Sequence, residues 1–293
     1  MNRELFVMVD EEYAKYISEH PDMEDRWLLE QTAYTAQERR GLYAFLPLHE
    51  GVRVLDVGTG FGALATELAA FAPIAVTGVD VSVQKLDIAR AIAQAVVTRR
   101  LAMATDGQSG DRAVPEFIEG DAYRLPFADE AFDLVISRFL FQHLPEPLIA
   151  MKEFFRVVRR GGMVCVIDVD EGLSIGYPET NAEMVLHRVF RALQEVRGGD
   201  RMVGRKLGFY LQEAGFATIH SVAQLQSGYS ESMREDGLVQ FALRKLQDAR
   251  EEIIRMGLLS ADEYDAYYAE YADGMEGWRF ATNGQITAFG VKP

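Results

Sequence analysis

Apolar positions recur along this chain in two alternating rhythms. Short, mostly apolar runs at 54–57, 74–80, 116–118, 132–138 and 163–168 have the length and composition of strands. The stretches between them place apolar residues at helical spacing, as in Leu64, Leu68, Ala69 and Phe71 after the first run. Helices are predicted over 63–71, over 83–99 and up to Arg160, with Pro145 and Pro147 suiting the start of the last and Gly161-Gly162 its end. Strands alternating with helices predict an α/β fold, a doubly wound, mostly parallel sheet covered on both faces.

Outside that rhythm lie three helical stretches. Residues 1–50 read as helices broken at Pro21-Asp22, with Trp27, Leu28, Tyr34, Leu42 and Phe45 in the second half. They form either a layer on the sheet or a lid over a ligand. A helix is predicted over 179–196, closed by Gly198-Gly199, and a longer helical insertion over 231–273. The division that follows is a helical cap at 1–50, a core at 51–230, a second cap at 231–283 and a last core strand at 284–293. Residues 104–111 bring Gly, Ser and Asp without apolar period and read as an exposed loop.

Composition narrows the partners. A net charge of −15 argues against a nucleic-acid partner, which would want a basic face. No apolar run is long enough to cross a membrane, and the N-terminus has no signal core. The single cysteine, Cys165, lies in an apolar run and reads as a core residue; with no disulfide possible within the chain, a cytoplasmic location is expected.

The first strand ends in VLDVGTGFGA, residues 54–63. Alternating glycines allow close backbone approach, so something flat and polar can lie on the loop. Gly58, Gly60 and Ala63 satisfy the dinucleotide fingerprint, which keeps a nicotinamide-dependent oxidoreductase as one reading. Asp56 favours another. A carboxylate at the strand end sits poorly beside a pyrophosphate and well beside an ammonium. S-adenosylmethionine (SAM) carries an ammonium and a sulfonium, and no phosphate. Asp80 ends the second strand roughly 20 residues past the loop, where a carboxylate can take both ribose hydroxyls.

In order, VLDVGTGFG, GVD, GDAYRLPF, FDLVISRFLFQHL and RVVRRGGMVCVIDVD resemble the Rossmann-like (class I) SAM-dependent methyltransferases, in the ubiquinone/menaquinone-type branch. The resemblance covers residues 52–170. It implies a seven-stranded sheet whose last two strands pair antiparallel, for which 217–226 and 284–292 are the candidates. It implies a SAM site built from Asp56, Gly58, Gly60, Asp80, Val81, Asp121, Ala122 and Ser137, with Asp121 and the Ala122 amide at the adenine. An aromatic face near the sulfonium would be favourable, which draws attention to Tyr13, Tyr16 and Tyr34.

Methyl transfer needs alignment of a nucleophile more than elaborate catalysis. His143 is the candidate base; the alternative is a histidine that holds its loop. Asp168 or Asp170 could orient an amine, or simply cap a strand end. Asp168, Asp170 and Glu171 lack the companion that a magnesium site needs, so no metal is expected. The tyrosines at 264, 268 and 271 share a helix face, as core packing or as a substrate wall. The expected activity is methylation of an oxygen or nitrogen of a small organic molecule, by a chain that could be a homodimer. A non-catalytic SAM-binding subunit is the third reading.

Overall fold

In the computed structural model, which describes residues 3–23, 25–103, 114–232 and 237–293, five parallel strands form the centre of one sheet. β1 (Arg53–Val57) lies between β2 (Ala75–Asp80) and β4 (Phe132–Arg138), with β3 (Glu116–Glu119) beyond β2 and β5 (Val158–Val169) beyond β4. Every residue of β1 after Arg53 is buried, as befits a strand covered on both faces. One face carries Val54, Leu134, Ile136 and Cys165 against α4 (Ala63–Phe71) and α5 (Val83–Met103). The other carries Leu55, Val57, Val135 and Val166 against α6 (Pro147–Val157) and α8 (Leu207–Ala214). Both aspartates of the β1–β2 edge thus reach the carboxyl end of the sheet at neighbouring positions, Asp56 opposite Gly78 and Asp80 opposite Glu119.

Two details differ from the sequence reading. Among the described residues the sheet has eight strands rather than seven, because β8 (Glu276–Val291) starts well before the expected 284 and β7 (Ala217–Ser232) runs on past 226. The overhang of β8 beyond β5 leaves an edge that the short β6 (Ile175–Tyr177) occupies. Ser227, Gly228, Asn283 and Gly284 interrupt the apolar alternation there, while the backbone ladder continues regardless. Second, α6 ends at Val157 and β5 follows directly, so Gly161 and Gly162 lie inside the strand. The expected loop at 104–111 falls outside the described residues.

The N-terminal helices α1 (Arg3–Glu19), α2 (Arg26–Tyr34) and α3 (Ala36–Gly41) cover the α4 side of the sheet. They are fastened by charge. Glu67 of α4, fully buried, accepts from Arg39 Nε (2.9 Å) and Nη2 (2.6 Å), from Arg40 and from the Tyr43 hydroxyl. Arg40 also grips Asp10 of α1. α7 (Asn181–Val196), α9 (Gly237–Arg255) and α10 (Ala261–Asp273) share their own apolar cluster, built from Leu186, Leu193, Leu246, Ile253 and Tyr264. A capping box of Ser260 and Glu263 starts α10.

Candidate active site

The loop after β1 turns on glycines in the left-handed region, at 58, 60 and 62. At Gly62 a side chain would strike Phe117 and Ala89 at 2.6–2.7 Å, so this position serves the packing of α4 on the sheet. At Gly60 a side chain would meet nothing within 4 Å, so this position faces open space. The Gly60 amide donates to Asp80 Oδ2 (2.9 Å), and the Ser82 amide donates to Oδ1 (3.0 Å). Asp80 therefore braces the loop as well as standing beside it.

Asp56 is buried, and its Oδ2 accepts from the Thr59 hydroxyl at 2.7 Å. Among the described residues no cation comes within ion-pair distance of it. Burial, followed by the nearby charge of Asp80, pushes its carboxyl up to about 6. Asp121 is exposed, its Oδ1 accepting from the Tyr123 amide, and Ala122 is buried beside it. Val81 is exposed; Ser137 is buried, with a hydroxyl that has no partner among the described residues. Register places Val57 next to both Val79 and Ser137, so these residues share one edge of the sheet.

Phe139, next after β4, sits at φ +58°, a conformation that side chains rarely adopt. Its amide donates to Ile167 O at 2.8 Å, which turns the chain back over the glycine loop. Leu140 lies 3.1 Å from where a Gly58 Cβ would stand. Asp168, buried at the end of β5, accepts from the Gln142 amide at 3.2 Å, and burial pushes its carboxyl up to about 7. It holds this loop from inside. Asp170 and Glu171, next in the chain, are engaged by Arg205 and by Arg201.

Beyond the loop opens a cavity of about 810 Å³. Its near wall is Phe139, Gln142 and His143; α2 and α3 contribute Trp27, Leu28 and Glu38; α7, α9 and α10 contribute Phe190, Lys245 and Tyr271. His143 is exposed into this space, with Nδ1 3.0 Å from Gln194 Nε2. Loss of solvation, together with Arg201 and Lys245, pushes its imidazole down to about 4. Lys245 Nζ lies 3.9 Å from the centre of the Phe190 ring and pairs with no carboxylate among the described residues. Of the tyrosine stripe, Tyr264 is core, donating to Leu246 O, while Tyr271 reaches the cavity. Tyr13 donates to Phe61 O behind the glycine loop, and Tyr16 stacks on His20.

The sequence reading missed Gln142, Gln194, Arg201 and Lys245. They stand far apart in the chain and meet only when α7 and α9 fold over the loop after β4. Gln142 alone carried a signal, as the neighbour of His143.

Residues 55–166 match the methyltransferase domain family. A methyltransferase of Schizosaccharomyces pombe, itself uncharacterised, is 26% identical over 89% of this chain and 93% of its own length. A demethylmenaquinone methyltransferase of Deinococcus radiodurans is 35% identical over 44% of this chain, which spans about half (48%) of that relative. In fold, a candidate methyltransferase of Bacillus halodurans superposes with a TM-score of 0.55 at 23% identity, covering 88% of this chain and 99% of that one. The motif order, the sheet with its glycine loop at the carboxyl edge and these matches agree, and residues 55–166 form a methyltransferase domain of the class I, SAM-dependent kind.

Proposed function

We propose that this protein binds SAM along the carboxyl edge of β1–β4 and methylates an oxygen or nitrogen of a small organic molecule held in the 810 Å³ cavity. The observation that carries the proposal is that the cavity's near wall, 139–143, is the same loop that lies over the glycine turn. The donor set fits the cofactor. Asp56 is a buried carboxylate that lacks a cation, and Gly60 offers backbone with open space in front of it. In this reading Asp56 takes the ammonium and Asp80 the ribose hydroxyls, with lone pairs left over from bracing the loop. Asp121 and the Ala122 amide take the adenine, and Gly58, Val81 and Ser137 complete the lining.

SAM, when bound, supplies a methyl on a sulfonium, a leaving group already activated. What remains for the chain is to align the nucleophile and exclude water. The cavity walls from α2, α7, α9 and α10 do this in our reading, with Trp27, Phe190 and Tyr271 as flat apolar surfaces. His143 serves as a hydrogen-bond donor. Gln194 Nε2 also donates to Gln142 O (3.0 Å), so the amide's orientation is set and Nδ1 of His143 accepts from it. The neutral ring then carries its proton on Nε2.

A relative named for demethylmenaquinone supports flat, ring-bearing acceptors as the first to try. The test is a panel of phenols and amines incubated with SAM, read as demethylated cofactor formed and as methylated product by mass. Methylation of at least one class, dependent on Asp80, is expected. SAM binding with no turnover on any nucleophile would favour the non-catalytic subunit, and binding of NAD in place of SAM would favour the oxidoreductase.

A further inference from the structure

Arg138 closes β4 on the face of the sheet that looks toward the N-terminal cap, the face that also carries Asp56. Its Nε and Nη2 are both buried, and among the described residues neither has a hydrogen-bond partner. The guanidinium carbon lies 4.0 Å over the ring of Phe139, which compensates part of the lost solvation but satisfies no N–H. A buried guanidinium left this way is expensive unless an anion completes it. Burial, with the charge of Arg39 next in importance, holds the group down to about 9.

The neighbouring cations are spent. Arg39 gives its guanidinium to Glu67 and to Thr32 O, and Arg40 divides its own between Glu67 and Asp10. Lys85 pairs with Asp25. Glu38 is the carboxylate whose charge most offsets the burial of Arg138, yet the two form no ion pair within 4 Å, and Glu38 Oε1 is itself buried without a partner. Among the described residues, Arg138 is thus the open cation on the side of the sheet that carries Asp56.

Resting on the cofactor reading above, we infer that Arg138 is the receptor for the carboxylate of the cofactor's methionine tail. In an α-amino acid the carboxylate carbon is two bonds from the ammonium nitrogen. A tail whose ammonium rests at Asp56 therefore carries its carboxylate only a short distance away, and needs a cation on the same face. Phe139, at φ +58°, keeps its ring under the guanidinium and so aims it. A fork of N–H donors matches a carboxylate with two parallel hydrogen bonds. Arg138 acts here as a binding residue and takes no part in the transfer.

The test compares SAM with decarboxylated SAM, which keeps the ammonium and the sulfonium and lacks only the carboxylate. By titration calorimetry the parent protein should bind SAM at least tenfold more tightly than the decarboxylated form. In Arg138→Gln that ratio should collapse toward one, through loss of SAM affinity alone. Arg138→Lys should recover part of it. Glu38→Gln should leave the ratio as in the parent. A parent protein that binds both compounds equally overturns the inference without any variant, so misfolding of Arg138→Gln cannot shelter it. A ratio unchanged in Arg138→Gln overturns it as well, leaving Arg138 a structural partner of Glu38. Failure of the parent to bind SAM at all would remove the cofactor reading and this inference together.

Discussion

Gln194 donates from one nitrogen to two acceptors, the Gln142 carbonyl and His143 Nδ1, each at 3.0 Å. A residue of α7 thereby sets the tautomer of a histidine on the loop after β4. The imidazole titrates at about 4 in the fold and near 6.5 when the chain is unfolded. The unfolded chain takes the proton first, so this group's contribution is complete above pH 6.5 and is lost as pH falls toward 4. The stability difference between parent and His143→Gln should shrink over that window. Turnover of the parent should show no limb near pH 6.5; a limb there that vanishes in His143→Gln would restore the ring as a base.

In the proposed cofactor site, Asp56 should give SAM affinity a pH dependence of known sign. The free protein holds its carboxyl at about 6, and an ammonium placed beside it lowers that value. The complex then binds fewer protons than the free protein, so SAM affinity should rise with pH through 6 and level off above 7. Calorimetry at pH 5, 6 and 7 checks this. In Asp56→Asn the slope should disappear and affinity should fall roughly tenfold, about 1.4 kcal/mol.

Glu67 holds the cap to the core, with two arginines and a tyrosine around one fully buried carboxylate. Removing one member of such a cluster strands the remaining charges. Glu67→Ala should cost about 3–5 kcal/mol in denaturant unfolding. Arg39→Met, which strands the carboxylate instead, should cost a similar amount. Variants within 1 kcal/mol of the parent would mean that the cap is held by its apolar contacts alone.

On the proposed reading, Lys245 distinguishes the acceptor's side of the cavity from the cofactor's. Burial holds its amine well below the ordinary lysine range, and its Nζ lies 3.9 Å from the centre of the Phe190 ring, with no carboxylate paired to it among the described residues. Lys245→Met should raise the melting temperature, because an uncompensated cation leaves the cavity. The same change should leave SAM affinity intact and alter KM for the methyl acceptor. A melting temperature that falls would show that the ammonium is better satisfied than its surroundings suggest. An unchanged KM would place the acceptor away from α9.

The alternation of apolar runs with helical periods, and the order of five short motifs, decided the parallel sheet, the glycine loop and the acidic strand ends at 56 and 80. Those features are local. A strand covered on both faces is mostly apolar, and a loop that turns three times in the left-handed region is cheapest in glycine, so both leave their mark in consecutive residues. The length of β8, the extra strand β6 and the cavity were decided by tertiary structure. A backbone ladder tolerates Gly284 or Ser227 without an apolar side chain, so period counting stops where pairing does not. Arg138 could be seen at the end of its strand, but not that its neighbours Arg39 and Arg40 would be consumed by Glu67. Whether a charge is spent or open depends on which partners the fold brings within a few ångströms, and that is a property of packing rather than of sequence order.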